Sequence, residues 1–419
     1  MIAGGSPGST RGAVLLAVAV GLGFRLAFGL GYWVDKPLTH DEAEYLDLAG
    51  NVAAGRGFAY DAPEPGETPR EQFGRAPVYP FFLAAAGFAT GGSLPLTAIK
   101  VAQAAVGALT IWIVAVIAAH AAGPRAGVLA AWGAALYPPL VWMPAYVLSE
   151  TLYSALALAN VLLADRALGT SGRSYSQQRA ALACGLLGGL CALTRPGHLF
   201  FLLLMGLYLL ARQRFHAAVA IAIGALLVIG PWTARNYREH GRFVLIASSG
   251  GINFWIGNHP LAIGDGDLAA NPAIKRDNVR LRSEHPGLTP EELAPVYYRE
   301  AVEGITADPL RWGALLARKV FYLFVPVGPS YTLHSARYLG ASLAAYGLLL
   351  PLAIGGAAVL AHRGRWPTAL GLLIGSAILG GLVFFPQERY RLPVIDPAAI
   401  VLAASGLALA TRRRSPLPC

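Results

Sequence analysis

Long apolar runs separated by short basic turns, with two long polar interruptions, make up the pattern of this chain. Segments near residues 12–34, 95–119, 126–143, 147–165, 179–194, 197–212, 214–233, 338–361, 366–385 and 394–411 are long or apolar enough to cross a bilayer, where about 20 helical residues suffice. Two more, near 77–91 and 312–327, are borderline. Basic residues decide how these two are counted. If neither crosses, Arg11, Arg125, Arg166–Arg173–Arg179, Arg212–Arg214, Arg363–Arg365 and Arg412–Arg414 all fall on one side, which is then the cytoplasm. If both cross, the Arg166–Arg179 cluster moves outside. The two are therefore read as interfacial or re-entrant helices. The pattern predicts an all-α polytopic membrane protein with about ten spans, or twelve if both cross. The first span is read as retained, because its apolar run is too long for a signal-peptide core and lacks a small-residue cleavage site.

On this topology two polar loops, roughly 35–76 and 234–311, face the extracytoplasmic side. They hold nineteen of the twenty-three acids, nine in the first and ten in the second. The chain divides into an N-terminal membrane module (1–233) that carries the first loop, an extracytoplasmic helical lid (234–311) and C-terminal membrane helices (312–419). In the first loop, Thr39 and Glu42 have the spacing of a capping box. A helix is expected to start there and to run to Gly55, a natural stop. Asp41, Glu44 and Tyr45 then share one face. In the lid, Thr289-Pro290-Glu291-Glu292 predicts a second capped helix that runs toward Asp308-Pro309.

Composition agrees with a membrane protein: 55% of residues are hydrophobic and 13% charged, with mean hydropathy +0.51. The net charge of +10 comes from short clusters between apolar runs, a positive-inside signature and not a nucleic-acid footprint. Cys184 and Cys191 lie in one apolar segment and Cys419 is terminal, so no disulfide framework or metal-ligand spacing is visible.

Only four acids lie outside the two loops: Glu150, Asp165, Glu388 and Asp396. Asp165 pairs plausibly with Arg166. Glu150 sits in a tight outer turn, where an ionisable group facing a cavity points to function. Arg75 ends the first loop, Arg195 and His198 lie in the turn ALTRPGH, and Arg235 follows a span. Glu388, Arg389, Tyr390 and Arg391 cluster at the outer end of another. Arg25, inside the first span, is expected to snorkel outward. The outer face thus gathers carboxylates (Asp41, Glu42, Glu150) and arginines (Arg75, Arg195, Arg235, Arg389) from distant parts of the chain. Carboxylates can act as a general base or as metal ligands, and arginines can bind a departing phosphate through bidentate bonds. Such a set suits a lipid-phosphate sugar, whose leaving group needs charge matching and no acid.

The stretch HDEAEYLDLAGNVAAGRGF resembles the first-loop motif of the GT-C glycosyltransferases. It is most similar to the branch of protein O-mannosyltransferases and lipid A aminoarabinose transferases. RAPVYPFFLA, LYPPLVWMPAYVLSETLY, ALTRPG, GPWTARNYREHG, ADPLRW and ERYRLPV continue the resemblance in order over nearly the whole chain. The resemblance implies a polyprenyl-phosphate-linked sugar donor, transfer with inversion on the extracytoplasmic face of the plasma membrane, and a glycan, lipid or protein acceptor, without nucleic acid. It makes Asp41 the base or acceptor-orienting acid, with Glu42 its partner and Glu150 the second acid. Arg75, Arg195, Arg235, Arg389 and Tyr390 would bind the donor phosphate. Glu44, Tyr45, His198 and Asn258 would contact donor or acceptor. No cofactor is required on this reading, although Asp41, Glu42 and Glu150 could hold a divalent metal. The chain departs from larger members in showing no sizeable C-terminal soluble domain, which leaves the acceptor open. The competing expectation is a polyprenyl-phosphate-sugar carrier or flippase without catalysis. It is disfavoured because no internal repeat or midplane polar cluster is seen.

Overall fold

The computed structural model describes residues 7–61, 74–88, 93–169, 175–266, 268–289, 291–327 and 335–411. The middle of the first polar loop, Arg173, Pro290, Arg412–Arg414 and Cys419 lie outside them. Among the described residues the regular structure is all helical. In chain order the helices are α1 (Pro7–Leu26), α2 (His40–Ala53), α3 (Val78–Phe88), α4 (Leu96–Ala122), α5 (Pro124–Leu136), α6 (Pro138–Trp142), α7 (Glu150–Leu168), α8 (Tyr175–Thr194) and α9 (Leu199–Ala211). They continue as α10 (Phe215–His240), α11 (Gly250–Asn258), α12 (Pro272–Ser283), α13 (Ala294–Ala307), α14 (Pro309–Phe324), α15 (Ala336–His362), α16 (Thr368–Val383), α17 (Glu388–Arg391) and α18 (Ile395–Ala410).

Among the described residues, five helical stretches are long and apolar enough to cross a membrane: Ser9–Tyr32, Leu96–Ala122, Glu150–Leu168, Phe215–Glu239 and Ala336–His362. The predicted span at 126–143 is instead a pair of helices bent by 65°, because Pro138 and Pro139 interrupt it. The predicted spans at 197–212, 366–385 and 394–411 correspond to apolar helices of 10–17 residues, and the borderline stretch at 312–327 to α14 (16 residues).

The centre of the bundle is α18, whose residues Ile395–Ser405 are all buried. A helix apolar on every side belongs inside. It packs on α4, α5 and α15. Small residues bring the backbones together, as is usual where lipid supplies no hydrophobic drive. A Cβ at Gly356 of α15 would lie 2.0 Å from the Leu402 carbonyl oxygen of α18, and one at Gly185 of α8 would lie 2.2 Å from the Ile221 carbonyl oxygen of α10. A second, smaller core joins α11, α12 and α13 through Trp255, Ile274, Leu281 and Tyr297, and takes in Leu315 of α14 and Phe385.

Three expectations need correction. Arg25 is 2% exposed and turns inward, donating to the carbonyls of Gly21 (2.9 Å) and Ala134 (3.2 Å). The carbonyls of α1 and α5 offer partners closer than the membrane surface does. The stretch WTARNYREH is not loop, because α10 continues through it until Gly241 ends it with φ +66°. The Thr289–Glu292 capping bonds do form, but they close a turn, and α13 begins only at Ala294.

The Gly356 contact is directly testable. Gly356→Ala should cost about 1–3 kcal/mol through overpacking, read as a lower thermal midpoint in detergent. Gly355→Ala, whose new Cβ meets no atom within 4 Å, should leave the midpoint unchanged or raise it, since alanine is the better helix former.

Candidate active site

The site begins with the capping box of α2. Thr39 donates its amide (2.8 Å) and hydroxyl (2.9 Å) to Glu42 Oε2, and the Glu42 amide donates back to Thr39 Oγ1 (3.4 Å). This pins the first turn. Glu42 Oε1 also accepts from the Val147 amide (2.8 Å), which ties α2 to the turn before α7. Gln103 of α4 steadies that turn by donating to the carbonyls of Pro144 (3.0 Å) and Tyr146 (2.8 Å). Glu42 is therefore a buried structural acid, and its sequence neighbour Asp41 faces the other way.

Asp41 lies between two cations. Arg75, just before α3, donates to Asp41 Oδ1, and Arg389 of α17 donates to Asp41 Oδ2. Arg75 also donates from Nε to Glu44 Oε2 (2.8 Å). Arg389 donates from Nε to Glu150 Oε1 at the start of α7 (2.8 Å). Arg195, from the turn after α8, reaches the same Glu150 oxygen at 2.9 Å. The result is one chain of alternating charge: Glu44, Arg75, Asp41, Arg389, Glu150, Arg195. Three carboxylates and three guanidinium groups make it neutral. Aromatic rings brace it. Arg75 lies over Tyr45 at 5.0 Å, and Arg195 lies between Tyr390 (5.0 Å) and Tyr153 (5.9 Å). Such stacking suits planar guanidinium groups.

The charge chain opens on a cavity of about 590 Å³. Asp41, Glu44, Tyr45, Arg75, Arg195, Arg389 and Tyr390 all line it. An apolar wall of the same cavity is formed by Ile252 and Ile256 of α11, Leu268, Gly380 and Gly381 of α16, and Phe384 and Phe385, with the Phe385 ring 5.8 Å from that of Tyr390. Ser149, Tyr153, Tyr60 and Asn253 also line it, and of these nothing in the local sequence marks Ser149, Tyr60 or Asn253. Tyr153 could have been found, because it stands three residues after Glu150 and so on the same helix face.

Five sequence candidates do not line the cavity. Glu42 is committed to Thr39 and Val147, and Glu150 is buried against Arg389 and Arg195. Arg235 donates to the Phe58 carbonyl (3.0 Å) and stacks over Trp232, because the continuation of α10 turns it toward the first loop. His198 is fully buried, within hydrogen-bond distance of the Tyr153 hydroxyl (3.2 Å) and Asn160 Nδ2 (3.1 Å). Asn258 is buried behind the apolar wall, against Lys319 and Trp312.

Nor do Asp41, Glu42 and Glu150 fit a metal. The Glu42 oxygens are committed to Thr39 and Val147, and the other two acids hold arginines. Among the described residues no three or more His, Cys, Asp or Glu side chains form a metal-binding group.

Burial alone would push the Asp41 carboxyl up. Arg389 and then Arg75, through charge and hydrogen bonds, more than reverse this and hold it well below the usual carboxylate range. Burial likewise pulls the Arg389 guanidinium down, but Glu150 and Asp41 raise it above its ordinary value. At neutral pH Asp41 is ionised, and in this state it is a weak base.

No protein-family model matches the chain, and no curated protein matches it in sequence. Its fold is similar to that of solved oligosaccharyltransferase structures. Archaeal oligosaccharyltransferase AglB from Archaeoglobus fulgidus, in complex with an inhibitory peptide and a dolichol-phosphate, superposes with TM-score 0.58 at 16% identity, over 98% of this chain and 52% of that one. The Archaeoglobus fulgidus oligosaccharyltransferase in complex with Zn and sulfate gives TM-score 0.55 at 13% identity, over 95% and 49%. A weaker likeness, TM-score 0.46 at 15% identity over 96% and 78%, is to ArnT from Cupriavidus metallidurans bound to undecaprenyl phosphate. The chain spans about half the length of the oligosaccharyltransferases it matches.

The depressed Asp41 carboxyl fixes a sign. Its ion pairs contribute stability above the unfolded value of about 3.9, and that contribution is lost only as pH falls through the lower folded value. Thermal midpoints of wild type and Asp41→Asn should therefore differ by a constant amount from about pH 5 to 8 and converge as the pH is lowered below about 4. A difference that titrates near neutrality would show that Arg75 and Arg389 do not hold Asp41.

Proposed function

We propose that this protein is an inverting glycosyltransferase of the cell envelope. It moves a sugar from a polyprenyl-phosphate-linked donor to an acceptor hydroxyl on the extracytoplasmic face of the plasma membrane. The observation that carries the reading is Asp41 held between two arginines in a cavity that is lined by both the charge chain and an apolar wall. A lipid-phosphate sugar has the same polarity: an anionic headgroup, a hydroxylated ring and a hydrocarbon tail. The GT-C architecture supports the same class of donor, since the oligosaccharyltransferase of that fold carries a dolichol-phosphate.

Charge balance sets the order of events. The resting chain is neutral, so an arriving phosphate anion takes a guanidinium group from a carboxylate. Arg389, which lies between Asp41 and Glu150, is the group in reach of both. Once Arg389 turns to the phosphate, Asp41 loses half of what depresses it and regains basicity. Asp41 then accepts the proton of the acceptor hydroxyl as that oxygen attacks the anomeric carbon from the face opposite the phosphate. The bond between the anomeric carbon and the phosphate oxygen breaks, and the phosphate leaves with the electron pair. Arg389 and Arg195 match its charge, so no acid is needed on the leaving group. Arg75 remains on Glu44 and Asp41 and keeps the base oriented. The transition state is oxocarbenium-like.

Asp41→Asn should lower transfer of labelled sugar from a polyprenyl-phosphate donor at least about a hundredfold, with expression and a cooperative melting transition retained at its lowered midpoint. Arg389→Ala should lose transfer and weaken, but not abolish, binding of polyprenyl phosphate. Wild-type turnover by Asp41→Asn would remove Asp41 as the base. Binding without any transfer, in wild type as well, would favour the carrier.

A further inference from the structure

Behind the apolar wall of the cavity sits a buried cation that the chemistry above does not use. Lys319 of α14 is 1% exposed. It shares the inward face of an amphipathic helix with Leu315 and Leu323, four residues away on either side. Its ammonium donates to Asn258 Oδ1 (3.1 Å) and to the Leu382 carbonyl (2.8 Å). Trp312 Nε1 donates to the same Asn258 oxygen (3.0 Å). Asn258 Nδ2 in turn donates to the carbonyls of Phe254 (2.8 Å) and Val383 (2.9 Å).

These bonds close the C-terminal ends of two helices at once. The last carbonyls of a helix are unsatisfied and carry partial negative charge. Here those of α16 receive Lys319 and the Asn258 amide, while Asn258 also caps its own helix, α11. The joint is tight. A Cβ at Gly257 would lie 1.9 Å from the Phe384 carbonyl oxygen, and one at Gly266 would lie 2.0 Å from the Phe385 ring. α11 supplies Ile252, Asn253 and Ile256 to the cavity, and the chain leaving α16 supplies Phe384, Phe385 and Gln387 before it delivers Arg389. Both halves of the apolar wall, and the arginine at its end, are thus held at one point.

We propose that Lys319 is a positioning residue for the donor: through Asn258 it latches α11 to the end of α16, which holds the apolar wall together and fixes the turn that presents Arg389. This deepens the glycosyltransferase reading and rests on it, because the ligand positioned is the polyprenyl phosphate. The latch bonds to the apolar wall and to the end of α16 that leads to Arg389, and it touches neither Arg389 nor Asp41, so it governs donor affinity more than the chemical step.

The experiment uses the full-length protein in nanodiscs, with polyprenyl phosphate as the binding probe and labelled lipid-linked sugar for kinetics. Lys319→Met removes both bonds from the ammonium. It should weaken polyprenyl phosphate binding and raise donor KM by about tenfold, the scale of lost hydrogen bonds to a charged group, while kcat at saturating donor stays within about threefold. Combined with Arg389→Ala it should weaken binding no further than Arg389→Ala alone, because both changes act through one element. Trp312→Phe, which removes a single bond to Asn258, should give a smaller loss of the same kind and serves as the test if Lys319→Met does not fold. Equal binding by wild type and the folded latch variants, a loss confined to kcat, or full additivity with Arg389→Ala would overturn the latch alone. Absence of polyprenyl phosphate binding in wild type would overturn the donor reading and the latch with it.

Discussion

Electroneutrality of a half-buried ion-pair chain is the constraint on which the site depends. Glu44, Arg75, Asp41, Arg389, Glu150 and Arg195 come from five separate segments and alternate in sign. Removing charges from water is costly, and a buried pair need not stabilise a fold on balance. What such a chain does strongly is penalise any arrangement that leaves one member alone. Each helix end that contributes a charge must therefore arrive in register.

The rest of the fold serves this end of the bundle. α18 is buried along most of its length, and close glycine contacts lock α15 against it, so the segment just before it has a rigid base. Arg391, immediately before α18, is 1% exposed. It donates to Asp396 Oδ1 (2.9 Å) and stacks on Tyr346 at 3.9 Å, while Tyr137 donates to the other Asp396 oxygen (2.8 Å). Two residues earlier, Arg389 points to the cavity. One short turn thus anchors one arginine in the helical core and sets another in the ion-pair chain, and the first keeps the second in place.

Much of the architecture was legible in the sequence. Hydropathy alone gave an all-helical membrane protein with two polar insertions. The Thr39–Glu42 capping box gave α2 its start, with Asp41, Glu44 and Tyr45 on one face. The failures have physical causes. Arg25 was expected at the membrane surface, but carbonyls of neighbouring helices lay nearer. His198 and Asn258 carry polar groups suited to a ligand, yet both are satisfied by buried partners that no local pattern reveals. Arg235 sits in a motif of the right composition, but its helix continues past the expected stop and carries it away. Lys319 was the signal left unused. A lone lysine on the apolar face of an amphipathic helix must find a buried partner, and its position showed this even though the partner could not be seen.

The sequence by itself determined what depends on short-range physics: which segments are apolar enough for lipid, where a cap starts a helix, and which side chains share a turn. Only the tertiary structure decided which charge meets which. The pairing of Asp41 with Arg389 joins residues 348 positions apart, and Glu150 with Arg389 spans 239. No local preference encodes such distances. They are set when the helices pack and their ends are brought within reach of one another, and the need to neutralise every charge at that end then selects among the partners available.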